Sequence, residues 1–350
     1  MTGAPLVVID ADVLGRERTG DETYVENLLR TLPAVSAGEL RFAAITRRPE
    51  LVPEGVERVE VPARFQELRM AWAVPRALRS LRPALAHFQH ALPLRCPCPA
   101  VVTVHDLSFE RDPSLMGAKD RLVFRTVVPR AARGAARVLA VSERTKADLV
   151  ELYRIAPERI AVTPNGVDPA FAPGERRPDS YLLFVGAIQE RKNPLAAAEA
   201  AAEVGLPLVV AGPERDPGLV RELARHGADV RGYVDKRALA DLYRGAACLV
   251  LPSRFEGFGL PLLEAMACGT PVVAYPDPAL REVAGGAAVF AGPGGLAEAI
   301  RQALADRERL AAAGLERARH FSWEETARRT LAVYREVLAV SAAGGSVPNV

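Results

Sequence analysis

A train of short, continuously apolar runs, separated by amphipathic stretches, leaves few folds open to this chain. Leu6–Ile9, Phe42–Ile45, Ala84–Phe88, Ala100–Val104 and Arg137–Val141 form the first set, and Tyr181–Val185, Pro207–Ala211, Ala247–Leu251 and Pro271–Ala274 the second. Because the runs are continuous rather than alternating, both faces of each strand must be covered, which parallel sheets flanked by helices achieve. The intervening stretches supply those helices. Tyr24, Val25, Leu28, Leu29 and Leu32 make a one-sided stripe, and Asn193-Pro194 reads as an N-cap and first helical position opening Leu195–Glu203. With 350 residues the chain exceeds one ordinary core. The expected class is therefore α/β, two doubly wound Rossmann-like domains. The polar, Pro/Gly-rich stretch Ala172–Asp179 sets their boundary near 175, giving domains over 1–175 and 176–321. Ser322–Val340 reads as a final helix capped by Ser322 with Glu324 and Glu325 in its first turn, and 341–350 as a frayed tail.

Composition removes several functions. Lys and Arg total 45 against 43 Asp and Glu, so no global charge favours nucleic acid. The apolar runs fall far short of the ~20 residues of a membrane span, and the first residues lack the positive region of a signal peptide. Four cysteines, two in apolar stretches (Cys248, Cys268) and two in Cys96-Pro-Cys98, suit a reducing compartment and lack the further ligands that zinc needs. They read as buried thiols in a cytoplasmic protein. No G-x-G-x-x-G follows the first strand and no Walker loop occurs, which excludes a dinucleotide oxidoreductase and a P-loop kinase.

Ligands of doubly wound sheets bind beyond the carboxyl ends of strands. Polar and glycine residues collect there: Asp10-Ala-Asp12 and the loop bearing Gly20 after the first run, His105 after the fourth, Gly186 and then Arg191-Lys192 after the sixth, and Glu256-Gly-Phe258-Gly259-Leu260-Pro261 before Glu264. The two edges are expected to face each other across an interdomain cleft. Two glycines and a helix beginning at Pro261 suit phosphate, because a helix N-terminus offers unpaired N–H groups and partial positive charge. Glu264 reads as a first-turn residue of that helix. Only four of the basic residues are lysines, so Lys192 beside Arg191 stands out as phosphate-binding charge. As a loop residue, Lys192 is expected to change stability by no more than about 0.5 kcal/mol when truncated. His105 suits a sugar hydroxyl or charge developing in a transition state. His87 and His90, three apart at a strand end, fall on opposite faces and make a poor metal pair; Asp10-Ala-Asp12 is equally out of context for metal. Lys119–Arg137 sorts Val123, Phe124, Val127, Val128 and Ala131 from Lys119, Arg121, Arg125, Arg130 and Arg133, with Pro129 expected to kink or break the helix. Such a basic face suits an anionic membrane surface.

Together these residues resemble the family 4 glycosyltransferases of GT-B fold. The resemblance runs through Thr19-Gly20-Asp-Glu-Thr-Tyr, Val102-Thr-Val-His105-Asp-Leu, Pro164-Asn-Gly-Val-Asp168, Gly186-Ala-Ile-Gln-Glu-Arg191-Lys192-Asn, Gly232-Tyr-Val, the Glu256-to-Glu264 element and Phe321-Ser-Trp-Glu. It implies retaining transfer of a hexose, mannose from GDP-mannose among the donors, from a nucleoside diphosphate sugar to a glycan or lipid-linked acceptor, without metal or other cofactor. It places Glu256, the backbone of Phe258 and Gly259, and Leu260 at the donor sugar, Glu264 at the ribose, and Arg191 and Lys192 at the diphosphate. Gly186 belongs to the same donor loop. His105 falls near the reacting carbon, Gly20 in the loop reaching the phosphates, and Tyr233 and Val234 near the base. Ala187 stands where many relatives carry arginine or threonine, so Arg191 carries more of the charge. The final helix is expected to cross back onto the first domain. A nucleotide-sugar 2-epimerase and a non-catalytic sugar-nucleotide-binding subunit are the alternatives.

Overall fold

Strands rich in Val, Ile and Leu with no polar face can only be stable inside a layered sheet, and the computed structural model builds two of them. It describes residues 3–16, 19–112, 117–174 and 181–344. One unit comprises residues 1–166 with 323–350, the other 167–322.

The first unit holds seven strands: β1 (Leu6–Asp10), β2 (Arg41–Thr46), β3 (Glu57–Glu60), β4 (Leu85–Gln89), β5 (Ala100–Val104), β6 (Arg137–Ala140) and β7 (Ile160–Val162). They are all parallel in the order β3-β2-β1-β4-β5-β6-β7. The stripe on the helix Thr19–Ser36 is fully buried at Tyr24, Val25, Leu28, Leu29 and Leu32. The final helix, Trp323–Ala342, packs in this unit against Thr19–Ser36, and Arg335 pairs with Glu39. The helix Ala118–Gly134 continues through Pro129, which forfeits one backbone hydrogen bond without ending it. Its buried side is Val128, Ala131 and Ala132; Val123, expected there, is exposed.

The second unit holds β8 (Leu182–Val185), β9 (Leu208–Ala211), β10 (Asp229–Gly232), β11 (Cys248–Leu251), β12 (Val272–Ala274) and β13 (Val289–Phe290), parallel in the order β10-β9-β8-β11-β12-β13. The division falls after Gly166 rather than near 175, because the Val167 amide donates to the Phe321 carbonyl and Val167 bridges to Ser322. The linker's 175–180 and the tail's 345–350 lie outside the described residues. Asn193 precedes the helix Pro194–Val204 in a left-handed conformation and makes no side-chain cap, so Pro194's fixed φ opens that helix unaided. All four cysteines are buried and free.

In each sheet the strand order reverses once: from β1 the chain winds outward through β2 to β3 and returns on the other side of β1 at β4, and from β8 it winds through β9 to β10 and returns on the other side of β8 at β11. These reversals of strand order are where doubly wound sheets open a crevice at their carboxyl edge.

Candidate functional site

At the carboxyl edge of the first sheet, Asp10-Ala-Asp12 is filled by arginines. Arg69, fully buried, donates to both Asp10 carboxylate oxygens at 2.6 and 3.0 Å. Arg47 donates to both Asp12 oxygens at 2.8 and 2.6 Å, and Arg16 joins it. These acceptors are spent on cations from the chain itself. Neither Arg69 nor Arg47 stood out in the sequence, since their partners lie 59 and 35 residues away.

His105 follows β5 and is 9% exposed. Its Nε2 lies 2.9 Å from the Gln89 side-chain oxygen at the end of β4, and its carbonyl accepts from the Thr145 hydroxyl. Tyr24 meets the ring edge-on, with centroids 4.9 Å apart. Burial, opposed by Asp21 and reinforced by His90, lowers its pKa to about 4, so the imidazole is neutral near pH 7. Gly20 is in the first turn of a helix rather than in a loop; Asp21 and Glu22 follow it there, where carboxylates favour the helix N-terminus. His87 and His90 have different partners. His87 is buried in β4 between the Tyr334 hydroxyl (2.6 Å) and Thr103 Oγ1 (2.7 Å), and burial takes its pKa to about 3. His90, just past β4 with φ of 57°, instead joins Asp21 and His105.

At the carboxyl edge of the second sheet the charges are matched. Lys192 Nζ donates to both Glu256 oxygens at 2.6 and 2.7 Å, with side chains 12% and 6% exposed. Arg191 donates to the Phe255 carbonyl at 2.7 Å and stands 3.9 Å from the Glu256 carboxylate. Burial pushes the Glu256 carboxyl up, but Lys192 and Arg191 outweigh it and hold it below its ordinary value. The Arg191-Lys192 loop is therefore anchored, and the expectation that truncating Lys192 costs almost nothing is overturned: it would strand a buried carboxylate.

Gly186, after β8, lies where an added Cβ would sit 3.8 Å from the Lys192 chain; Gly212 has no such room, since its Cβ would fall 2.0 Å from the Gly186 carbonyl oxygen. Gly259 precedes the helix Leu260–Ala267 at φ of 102°, and a Cβ there would meet Leu280 at 2.4 Å. Only glycine fits. Pro261 is the second helical residue, not the first, and Glu264 lies beyond the first turn. Its carboxylate, 8% exposed, accepts from the buried Tyr243 hydroxyl at 2.8 Å. Burial raises its pKa to about 7 against that hydrogen bond and the charge of Lys236, which pairs with Asp168. Phe258 is buried with its ring edge-on to Phe321. Tyr233 is exposed and Val234 half-buried just after β10. Tyr243 and Asp277, whose carboxylate accepts from the Glu256 amide, were missed. Asp277-Pro278 carried a cap signal; Tyr243, on a helix's inner face, carried none.

Residues 18–171 match the family described as Glycosyltransferase Family 4, and residues 170–320 that described as Glycosyl transferases group 1. The chain is 30% identical to O-antigen chain mannosyltransferase B of Escherichia coli, over 84% of this chain and 83% of that one. It is 32% identical to D-inositol 3-phosphate glycosyltransferase of Kribbella flavida, over 97% and 96%. Among solved structures, Anabaena Alr3699/HepE in complex with UDP-glucose shares its fold, with a TM-score of 0.74 at 16% identity over 94% of this chain and all of that one.

Proposed function

The chain belongs to glycosyltransferase family 4 and is a glycosyltransferase of GT-B fold; from that premise we propose that it moves a hexose from a nucleoside diphosphate sugar to a glycan or lipid-linked hydroxyl, with retention of configuration. The observation that carries this reading is the Lys192 ammonium seated on Glu256 with Arg191 fixed beside it. Breaking the anomeric C–O bond puts positive character on the sugar and negative charge on the departing diphosphate. Cations already held in place stabilise that charge without reorganising at the moment of reaction. Donor binding would divide the pair: sugar hydroxyls donate to Glu256 while the diphosphate takes Lys192 and Arg191.

Backbone at Phe258 and Gly259, with Leu260, would complete the sugar end, and Gly186 the phosphate end. Glu264 would bind the ribose, and Tyr233 and Val234 would flank the base. His105, neutral, is assigned to the donor near its reacting carbon, and Gly20 to the phosphates. A covalent route needs a carboxylate beneath that carbon. Glu256 is assigned to the sugar hydroxyls rather than to the face beneath that carbon, so same-face attack is favoured, the acceptor proton passing to the leaving phosphate oxygen as the acceptor C–O bond forms.

The donor is proposed to be GDP-mannose, in keeping with the mannosyltransferase named among the relatives. The charge supplied by Arg191 and Lys192 supports turnover without a divalent ion. Transfer assays with GDP- and UDP-hexoses in excess EDTA test both points. Transfer from GDP-mannose in EDTA is expected; transfer from UDP-hexoses only, or activity that returns only with magnesium or manganese, would contradict them.

We further propose that the first unit meets anionic membrane. No helix among the described residues is long and apolar enough to cross one. Trp72 and Leu122, however, are about 70% exposed, at 72% and 69%, and Phe65, Leu68, Leu94 and Val123 are also exposed. Leu94 ties their segments together: its amide donates to Met70 and its carbonyl accepts from Arg130. Arg125 is partly spent on Glu110, so apolar side chains rather than an arginine face make the better anchor. Co-sedimentation with phosphatidylglycerol vesicles is expected for the chain and reduced several-fold in Trp72→Ser/Leu122→Ser; equal recovery in the supernatant with and without vesicles would contradict it.

A further inference from the structure

We propose that Asp21, His90 and His105 form a binding site for a transition-metal dication of the zinc type, one that inhibits the enzyme rather than serving it. The three residues come from different segments, the helix Thr19–Ser36, the end of β4 and the end of β5. One ligand atom from each lies within 4.8 Å of the others. Tetrahedral zinc with bonds of ~2.1 Å spaces its ligands roughly 3.4 Å apart. The cluster thus needs to close by up to about 1.4 Å, and Asp21, the partly exposed member, already stands 3.9 Å from His105 Nδ1.

Hydrogen bonding makes His105 a ligand in waiting. A carboxamide oxygen can only accept, so the 2.9 Å contact with Gln89 Oε1 puts the ring proton on Nε2. Nδ1 is then a bare lone pair, and it faces the Asp21 carboxylate, another acceptor, at 3.9 Å. Imidazole ligands of zinc commonly donate their second N–H to a carbonyl or carboxylate, the part Gln89 plays here. His90 offers the third donor, and its Nδ1 is buried with no hydrogen-bond partner. Two imidazoles and one carboxylate leave a fourth position for water. The site differs from Asp10-Ala-Asp12, whose oxygens are occupied by Arg69, Arg47 and Arg16.

Inhibition rests on the role proposed for His105; metal binding does not. The test is therefore direct. Calorimetric titration with Zn²⁺ and visible absorption on adding Co²⁺ are expected to show one ion per chain. Asp21→Asn and His90→Ala should each weaken it at least about tenfold, and Gln89→Leu about 10–100-fold as an orienting partner. Asp21→Asn changes a partly exposed side chain without altering its size, so it tests the site even if His90→Ala fails to fold. Cys96→Ser/Cys98→Ser is the control, because those sulfurs are 3.8 Å apart and offer zinc a rival pair. Binding that survives in Asp21→Asn/His90→Ala, or vanishes only in the cysteine variant, would overturn the proposal, as would no binding at all. In the transfer assay, stoichiometric Zn²⁺ should lower turnover at least tenfold, EDTA should restore it, and Asp21→Asn should resist it. Zinc that binds the three residues without slowing transfer would overturn the inhibitory part alone.

Discussion

The carboxyl edges of the two sheets occupy equivalent places in their folds, yet their side chains are partnered differently. At the second sheet Lys192 is paired with Glu256 and Lys236 with Asp168, and Glu264 accepts from Tyr243. At the first sheet, His105, held neutral by burial, comes together with His90 and the Asp21 carboxylate, their ligand atoms within 4.8 Å of one another. Asp10, the last residue of β1, and Asp12 form a charged layer at the same edge, closed by Arg69, Arg47 and Arg16. The same topology thus makes a crevice in both units, and the side chains decide its use. Cations held in place at the second edge suit a diphosphate, whereas the arginines of the first are taken up by Asp10 and Asp12.

Breaking the sealed layer should have the largest effect. Arg69→Ala would leave Asp10 buried without its bidentate partner, and breaking such a pair costs about 3–5 kcal/mol. Chemical denaturation of the variant should show that loss; a change under 1 kcal/mol would mean that the layer is not structural.

Glu264 sharpens the contrast from the other edge, with a smaller effect. Its folded pKa is raised from 4.5 to about 7, so the preference for the protonated form is fully present below the unfolded value and is lost as pH rises through about 7. The native protein should therefore lose ~1–3 kcal/mol between pH 4.5 and 7.5 that Glu264→Gln, unable to ionise, retains. Denaturation midpoints of the two proteins across that range check it, and parallel curves would contradict it. Donor affinity should fall in Glu264→Gln while kcat changes little.

Much of this was legible in the sequence because buried parallel strands announce themselves by continuous apolar runs. β3 and β10 did not, being polar edge strands, and β13 has only two residues. Of the site, His105, Lys192, Glu256 and Glu264 were found from their positions after strands. What was not legible was burial and partnership. Nothing local to Lys192 says that it is anchored by a carboxylate 64 residues on, and nothing local to Glu264 names Tyr243. Gly20 and Asp21 read as loop because a glycine so near the start of a helix carries no helical signal of its own.

The Lys192 ammonium belongs either to the chemistry or only to the fold. Lys192→Ala should lose about 3 kcal/mol of stability by stranding Glu256. It should remain folded under assay conditions, as circular dichroism would verify. The decisive quantity is its kcat at saturating donor. A contact that strengthens as the diphosphate departs predicts a kcat on the order of 10²–10³ below the native value. A folded Lys192→Ala with near-native kcat would contradict it, leaving the Lys192–Glu256 pair a structural bond.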